Sequence, residues 1–300
     1  MASIANWVQA FRLRTLPLAF SSILTGSFLA AAFADFKWSV LVLALLTTLF
    51  LQVLSNLAND YGDGVKGTDN ADRIGPQRAI QSGAISPAAM KKGIIITAVL
   101  ALISGIGLLY FGTRGLDARV FGIFLVLGLA AIAAAIAYTV GNRAYGYLGL
   151  GDLFVLLFFG LTGVGGTYFL HAHEWSPGVF LPALAIGFLS MAVLNLNNMR
   201  DREPDARVGK NTLAVRLGDY WSRAYHMLLL LAAVCCAVCF TLLNGGSIWQ
   251  FIYLIILPPL ISNVRIVATF TDPASLDPEL KKVALTTFLF SLTFGLGLFI

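Results

Sequence analysis

The chain has 300 residues, of which 58% are hydrophobic and only 12% are charged, with a net charge of +5. A soluble domain carries about 25% charged residues, so this composition excludes an ordinary water-soluble enzyme. The positive charge does not indicate a nucleic-acid partner, because basic loops beside an anionic bilayer surface account for it.

Nine apolar stretches follow one another along the chain. About 20 apolar residues suffice for a helix to cross the hydrocarbon core. The stretches are continuous rather than alternating, which favours helices over a β-barrel. We therefore predict an all-α integral membrane protein, a bundle of about nine transmembrane helices forming a single domain, 1–300. The predicted spans are 16–34, 38–58, 93–112, 120–141, 150–170, 179–198, 226–243, 249–268 and 283–300.

The basic residues predict the orientation of the bundle. With a cytoplasmic N-terminus, all but three of the 20 Lys and Arg lie on the inner side, and the exceptions are Lys37, Arg114 and Arg119. This bias follows the positive-inside rule. We expect a multi-pass protein of the bacterial cytoplasmic (inner) membrane.

The 15 Asp and Glu are concentrated at the ends of two predicted spans. The first acidic group closes the second span and comprises Asn59, Asp60, Asp63, Asp69 and Asp72. The second closes the sixth span and comprises Asn197, Asn198, Asp201, Glu203 and Asp205. Steps of four residues place Asn59 and Asp63 on one helix face, and likewise Asn197, Asp201 and Asp205. Because ionisable groups at a membrane are costly, such groups indicate a functional site, with both on the cytoplasmic side.

Facing carboxylates repel one another unless a cation lies between them, and Mg²⁺ prefers oxygen ligands completed by substrate phosphates. Basic residues are interleaved with the acidic ones, which a pure cation pathway would not require. Carboxylates, metal and cationic side chains together predict a site for a diphosphate leaving group. The interleaved basic residues are Lys66, Arg73, Arg78, Arg200, Arg207 and Lys210.

Two motifs carry a family resemblance. Asn59-Asp60-Tyr61-Gly62-Asp63 and Asp201-Arg202-Glu203-Pro204-Asp205 match the Asn-Asp-x-x-Asp-x-x-x-Asp and Asp-x-x-x-Asp motifs of the UbiA superfamily of intramembrane prenyltransferases, which the chain resembles along its whole length. The first motif departs at its last position, where Gly67 stands and Asp69 follows two residues later.

Further motifs resemble the menaquinone-pathway branch of this superfamily. They are Arg14-Thr15-Leu16-Pro17, Asp63-x-x-x-Gly67-x-Asp69, Arg73-x-Gly75-Pro76-x-Arg78, Gln81-Ser82-Gly83, Gly149-x-Gly151-Asp152-Leu153-Phe154, Asn197-Asn198-x-Arg200-Asp201 and Gly209-Lys210-x-Thr212-Leu213-Ala214. The resemblance implies transfer of a polyprenyl group from polyprenyl diphosphate to 1,4-dihydroxy-2-naphthoate. Carbon dioxide is lost, and the product is demethylmenaquinone.

The resemblance also implies residue roles. The expected Mg²⁺ ligands are Asp60, Asp63, Asp69, Asp201 and Asp205, with Asn59 and Asn197 orienting ligands or phosphate oxygens. The expected phosphate-binding residues are Lys66, Arg73, Arg78 and Lys210. Arg14 or Arg143 is expected to hold the ring carboxylate, and Asp152 or Tyr138 to help deprotonate a ring hydroxyl.

Two alternatives remain open from the sequence. The first is a 4-hydroxybenzoate polyprenyltransferase of ubiquinone biosynthesis, with the same mechanism and another ring. The second is a secondary transporter with inward-facing carboxylates and two related halves. Against transport, no acidic residue adjoins Pro182, Pro258 or Pro259, the prolines that interrupt predicted spans. The sequence makes no prediction of oligomeric state.

Overall fold

A computed structural model of the chain describes residues 2–69 and 74–300. Within those ranges the protein is helical, and nine helices are long and apolar enough to cross a membrane. This confirms the predicted number of spans. In chain order, the first to ninth spans are Ile4–Phe33, Trp38–Lys66, Pro87–Gly112, Ala118–Ala137, Gly151–Ala172, Pro177–Arg200, Leu213–Leu243, Ile248–Thr269 and Pro273–Gly297.

Several helices extend beyond the apolar stretches that predicted them. The second span continues past Asn59, Asp60 and Asp63 to Lys66, and Gly67 caps it in a left-handed conformation with φ 74°. The seventh begins at Leu213 behind Thr212, whose side chain accepts a hydrogen bond from the Val215 backbone. Counting apolar residues finds the membrane-buried part of a helix but misses its polar ends.

The first span is bent near its beginning. A helix at Ile4–Phe11 is followed by a 3₁₀ turn at Leu13–Thr15 and the long helix Leu16–Phe33. Between the first two pieces, Arg12 has φ 48°, in the left-handed region. The bend brings Arg12 to the wall of the central cavity.

The sixth span is the central helix of the bundle. Two thirds of its apolar stretch (67%) is buried, compared with 6% for the fourth span. The fifth and sixth spans approach closely, because a side chain at Gly160 would lie 2.7 Å from the Ala183 carbonyl oxygen and against Gly187. Small residues at this contact permit the close packing that membrane helices use.

A cavity of about 460 Å³ lies among the first six spans. Its walls are mainly apolar, and one of them is an 11-residue π-helix, Leu156–Gly166, within the fifth span. Such π-helical segments occur frequently at functional sites. At one end the lining becomes polar, and this polar end is formed by Asn59, Asp63, Arg78, Asn197 and Lys210.

Candidate active site

The first acidic motif lies on the last turns of the second span, as its four-residue spacing predicts. Asn59 and Asp63 both line the cavity. Asn59 accepts a hydrogen bond from the Thr139 hydroxyl, which lies beyond the fourth span. Asp63 is 1% exposed, so its charge depends on partners from the protein or from a ligand.

Asp60 points to a different part of the protein. Its two carboxylate oxygens accept hydrogen bonds from the backbone amides of Ala79 and Ile80, at 3.1 and 3.2 Å. These amides belong to the connection between the second and third spans. Asp60 therefore holds in position the segment that carries Arg78.

Arg78 joins two carboxylates of the first motif. Its guanidinium is 3.3 Å from Asp63 and 3.2 Å from Asp69, and all three side chains are buried. Burial on its own lowers the pKa of Arg78, but the neighbouring carboxylates outweigh it and raise the pKa. Arg78 is thus a fixed positive charge in the cavity wall.

The second motif is held by Arg200, the last residue of the sixth span. Its guanidinium donates two hydrogen bonds to Asp201, at 3.0 and 2.7 Å, and one to Asn197 at 2.9 Å. A further bond of 2.6 Å reaches Asp277 at the start of the ninth-span helix. The helix of the sixth span ends after Arg200. The chain keeps a helical turn beyond that end, because the Asp205 amide donates a 2.9 Å hydrogen bond to the Asp201 carbonyl oxygen.

Lys210 brings the two motifs together. Its ammonium nitrogen is 3.5 Å from Asp63 and 3.6 Å from Asp205. One cation therefore lies between a carboxylate of the first motif and a carboxylate of the second. The two acidic groups predicted to face each other do so across this lysine.

Tyr147 completes the polar end from the connection between the fourth and fifth spans. Its hydroxyl donates to Asp63 at 2.9 Å and is 2.5 Å from the hydroxyl of Thr68. The ammonium group of Lys66 lies 4.1 Å from the centre of the Tyr147 ring. Lys66 is itself exposed, at the rim of the polar end.

Tyr138 lines the cavity just beyond the fourth span. Burial, and then the nearby Asp63 carboxylate, raises the pKa of its phenol well above the ordinary value of 10.0. The phenol therefore stays protonated at neutral pH, which favours donating a hydrogen bond over accepting a proton.

The other candidates lie away from the cavity wall. Asp152 is buried and accepts a 3.0 Å hydrogen bond from Tyr225 on the seventh span, which ties the two helices together. Arg14 and Arg143 are exposed and are not among the lining residues. Arg73 lies outside the described residues.

Three residues at the site were not predicted as functional. From the sequence, Arg200 is one of the interleaved basic residues without a role of its own, and Arg12 and Tyr147 have no predicted role. The position of Arg12 depends on the bend in the first span. That of Tyr147 depends on the connection between the fourth and fifth spans, which folds back over the second span. The only sequence signal was Arg200 itself, a charge inside a run of Asn and Asp at a helix end.

The polar end suits magnesium by donor chemistry. Its candidate ligands are carboxylate and amide oxygens, which a hard cation prefers. Within 2–69 and 74–300, no three Asp, Glu, His or Cys side chains are grouped closely enough to hold a metal alone. Mg²⁺ does not need such a group, since it commonly binds one or two carboxylates together with substrate phosphates. Asp63, Asp201 and Asp205 stay the first predicted ligands, with Asp60 and Asp69 next.

The family model described as the UbiA prenyltransferase family matches residues 19–296. The chain belongs to this family. The family resemblance drawn from the two acidic motifs is therefore confirmed, together with the prenyltransferase class of enzyme.

Two relatives illustrate the likeness in sequence. The 1,4-dihydroxy-2-naphthoate octaprenyltransferase of Escherichia coli (strain K12) is 47% identical over 294 residues, covering 98% of this chain and 95% of the relative. The protein of the same name from Mycobacterium tuberculosis (strain ATCC 25618 / H37Rv) is 38% identical over 233 residues, 78% of this chain and 77% of the relative.

Solved structures share the fold. A UbiA homolog from Aeropyrum pernix K1 superposes with a TM-score of 0.67 at 15% identity, covering 97% of both chains. A homolog from Archaeoglobus fulgidus, solved bound to GPP and Mg²⁺, has a TM-score of 0.63 at 18% identity and covers 97% of this chain and 100% of its own.

Proposed function

We propose that this protein transfers a polyprenyl group from polyprenyl diphosphate to 1,4-dihydroxy-2-naphthoate with loss of carbon dioxide, in menaquinone biosynthesis. The observation that carries the proposal is the junction of two acidic motifs with Arg78 and Lys210 at one end of an apolar cavity. The names of the relatives from Escherichia coli and Mycobacterium tuberculosis supply the ring acceptor.

The diphosphate would bind at the polar end. Arg78 and Lys210 are buried cations, and a buried cation facing phosphate oxygens stabilises the charge that grows as the allylic carbon–oxygen bond breaks. At present both cations are paired with carboxylates. Binding of a metal to those carboxylates would free the two cations for phosphate.

Magnesium, held by Asp63 and the second motif, would neutralise phosphate charge and so make diphosphate a better leaving group. A homolog of the same fold was solved bound to GPP and Mg²⁺. In this chain, the Arg200 guanidinium donates a hydrogen bond to the carboxylate of Asp201, and the Tyr147 hydroxyl donates one to that of Asp63. Such hydrogen bonds orient ligands before the metal arrives.

The apolar part of the cavity suits the prenyl chain and excludes water from the allylic cation. A ring carbon forms the new bond to the allylic carbon while diphosphate departs. The ring carboxylate leaves as carbon dioxide, and its electron pair stays on the ring, so no external oxidant is needed. The product is the reduced, dihydroxynaphthalene form of demethylmenaquinone.

The ring would bind between the polar end and the apolar walls. Tyr138 lines this region and carries a protonated phenol, which suits a hydrogen bond to a ring oxygen. Arg12 also lines the cavity and offers a cationic side chain for the ring carboxylate, a position that exposed Arg14 and Arg143 do not occupy.

We further propose that the nine spans form one domain, 1–300, in the bacterial cytoplasmic (inner) membrane. Its N-terminus and the polar end of the cavity would face the cytoplasm. The distribution of Lys and Arg supports this orientation. A charged diphosphate and a water-soluble aromatic acid would then both reach the site from the cytoplasm.

The test is a product assay on the purified protein in detergent, with a polyprenyl diphosphate and Mg²⁺. Parallel reactions receive 1,4-dihydroxy-2-naphthoate or 4-hydroxybenzoate, and mass spectrometry identifies the products. We expect a prenylated, decarboxylated naphthalene that disappears when a chelator is added. Prenylated 4-hydroxybenzoate alone would move the protein to the ubiquinone branch, and no product with either ring would overturn the proposal.

A further inference from the structure

Tyr147 lies where three connections of the bundle meet. It belongs to a 3₁₀ turn, Tyr145–Leu148, that precedes the fifth span. Its side chain contacts the end of the second span, and its carbonyl oxygen accepts a 3.1 Å hydrogen bond from the backbone of Asn211, the residue after Lys210. This one residue therefore touches the segments that carry both acidic motifs.

The hydroxyl of Tyr147 orients Asp63. A phenol has one proton, and at 2.9 Å from the Asp63 carboxylate that proton is donated to the carboxylate. The hydroxyl of Thr68, 2.5 Å away, must then donate to the phenol oxygen. This chain of two hydrogen bonds holds one oxygen of the Asp63 carboxylate, while Arg78 and Lys210 contact the other, and the residue is 1% exposed.

The ring of Tyr147 carries a second interaction. The ammonium groups of Lys66 and Lys210 lie 4.1 and 5.5 Å from its centre, within the range of an attractive cation–π contact. These two ammonium groups are thereby held beside one aromatic ring. An aliphatic side chain in this position would provide no such attraction.

We propose that Tyr147 is a positioning residue for the diphosphate site, with separate tasks for its two parts. The hydroxyl orients Asp63 for the divalent cation, and the ring holds Lys66 and Lys210 where they meet the diphosphate. The proposal rests on the proposed function, in that it takes the polar end of the cavity as the diphosphate site.

Two substitutions separate the tasks. Tyr147→Phe removes the hydroxyl and keeps the ring, whereas Tyr147→Leu removes both. Tyr253→Phe is the control, because it removes a hydroxyl from a buried tyrosine that pairs with Thr241 away from the cavity.

The measurement is binding, without any ring acceptor. Calorimetry on the purified protein would give the affinity for farnesyl S-thiolodiphosphate, a non-reactive diphosphate probe, over a series of Mg²⁺ concentrations. Thermal unfolding of each variant would establish that it is folded. Because no product is formed, an error in the assigned acceptor ring does not affect the result.

We expect Tyr147→Phe to raise the Mg²⁺ concentration for half-maximal probe affinity by about tenfold or more, the usual effect of losing a hydrogen bond behind a metal ligand. At saturating Mg²⁺ its probe affinity should stay close to wild type. Tyr147→Leu should also lose about threefold or more in affinity at saturating Mg²⁺, since the cation–π contacts are gone.

A Tyr147→Phe variant with the Mg²⁺ dependence of wild type and of Tyr253→Phe would overturn the role of the hydroxyl. Equal probe affinity of Tyr147→Phe and Tyr147→Leu at saturating Mg²⁺ would overturn the role of the ring. If the wild-type protein binds no probe, the proposed diphosphate site itself is wrong.

Discussion

The ammonium group of Lys210 lies 3.5 Å from the carboxylate of Asp63. This ion pair joins the second span to the segment that follows the sixth span. Through Lys210, Asp63 is also linked to Asp205, so both acidic motifs contact a single cation at the mouth of the cavity. This arrangement balances the charge of buried carboxylates, and it places a side chain that we predict to bind phosphate between two predicted metal ligands.

Replacing Asp63 by Asn should nearly abolish turnover. The substitution keeps the shape of the side chain but removes the charge of a predicted metal ligand, and metal-ion catalysis is worth several kcal/mol in the transition state. We expect kcat/KM to fall by about 10³-fold or more, and the same for Asp201→Asn. The product assay measures the loss, and circular dichroism checks the fold.

Glu203→Gln is the control for both changes, because Glu203 lies within the second motif but its side chain is 68% exposed. Its activity should match wild type. Full activity in Asp63→Asn and Asp201→Asn would contradict the metal-site assignment.

Lys210→Met should weaken binding of the diphosphate. It removes a cation from between two buried carboxylates, and with it the phosphate contact that we predict for Lys210. We expect KM for the prenyl diphosphate to rise by about tenfold or more, with KM for the ring acceptor changed far less. Steady-state kinetics with each substrate varied in turn separates the two. An unchanged KM for the diphosphate would remove Lys210 from the site.

Asp60→Ala should act through the protein backbone. The carboxylate holds the amides of Ala79 and Ile80, so its loss leaves two donors without acceptors beside Arg78. We expect a stability loss of about 1–3 kcal/mol and faster hydrogen exchange at residues 79 and 80. If exchange there is unchanged while Mg²⁺ affinity falls, Asp60 is a direct ligand instead.

The stability of the protein should fall at high pH partly because of Tyr138. The pKa of its phenol is raised in the folded state, so the stabilising contribution is fully present below the unfolded pKa of about 10 and is lost as pH rises through the folded value. Thermal unfolding between pH 8 and pH 11 should therefore decline less steeply for Tyr138→Phe than for wild type. Equal slopes would contradict the raised pKa.

Gly128 offers a test of the path of the prenyl chain. It lines the cavity, and a Cβ added there has no neighbouring atom within 4 Å. Gly128→Phe should fold and reduce kcat/KM for a long polyprenyl diphosphate about tenfold more than for geranyl diphosphate, by steric overlap. Gly122→Phe is the control, since it has equal space but lies off the cavity wall. Equal effects of the two substitutions on kcat/KM would contradict this path for the prenyl chain.

The sequence was sufficient for the spans and the acidic motifs, because both depend on local composition. Apolar length determines a membrane helix, and Asn59 and Asp63 share a face through helical spacing alone. Arg12 reaches the cavity through a backbone bend, and Tyr147 reaches Asp63 through a folded connection, and no local pattern encodes either. Asp60 was grouped with the metal ligands by its motif, whereas its bonds to residues 79 and 80 depend on where that connection returns.

The most direct test of the account is the structure of the protein with Mn²⁺ in place of Mg²⁺ and a non-reactive prenyl thiolodiphosphate. Anomalous scattering would locate the metal. We expect a metal peak between Asp63 and the carboxylates of the second motif, the diphosphate against Arg78 and Lys210, and the prenyl chain within the apolar cavity. A metal or diphosphate bound anywhere else would contradict it.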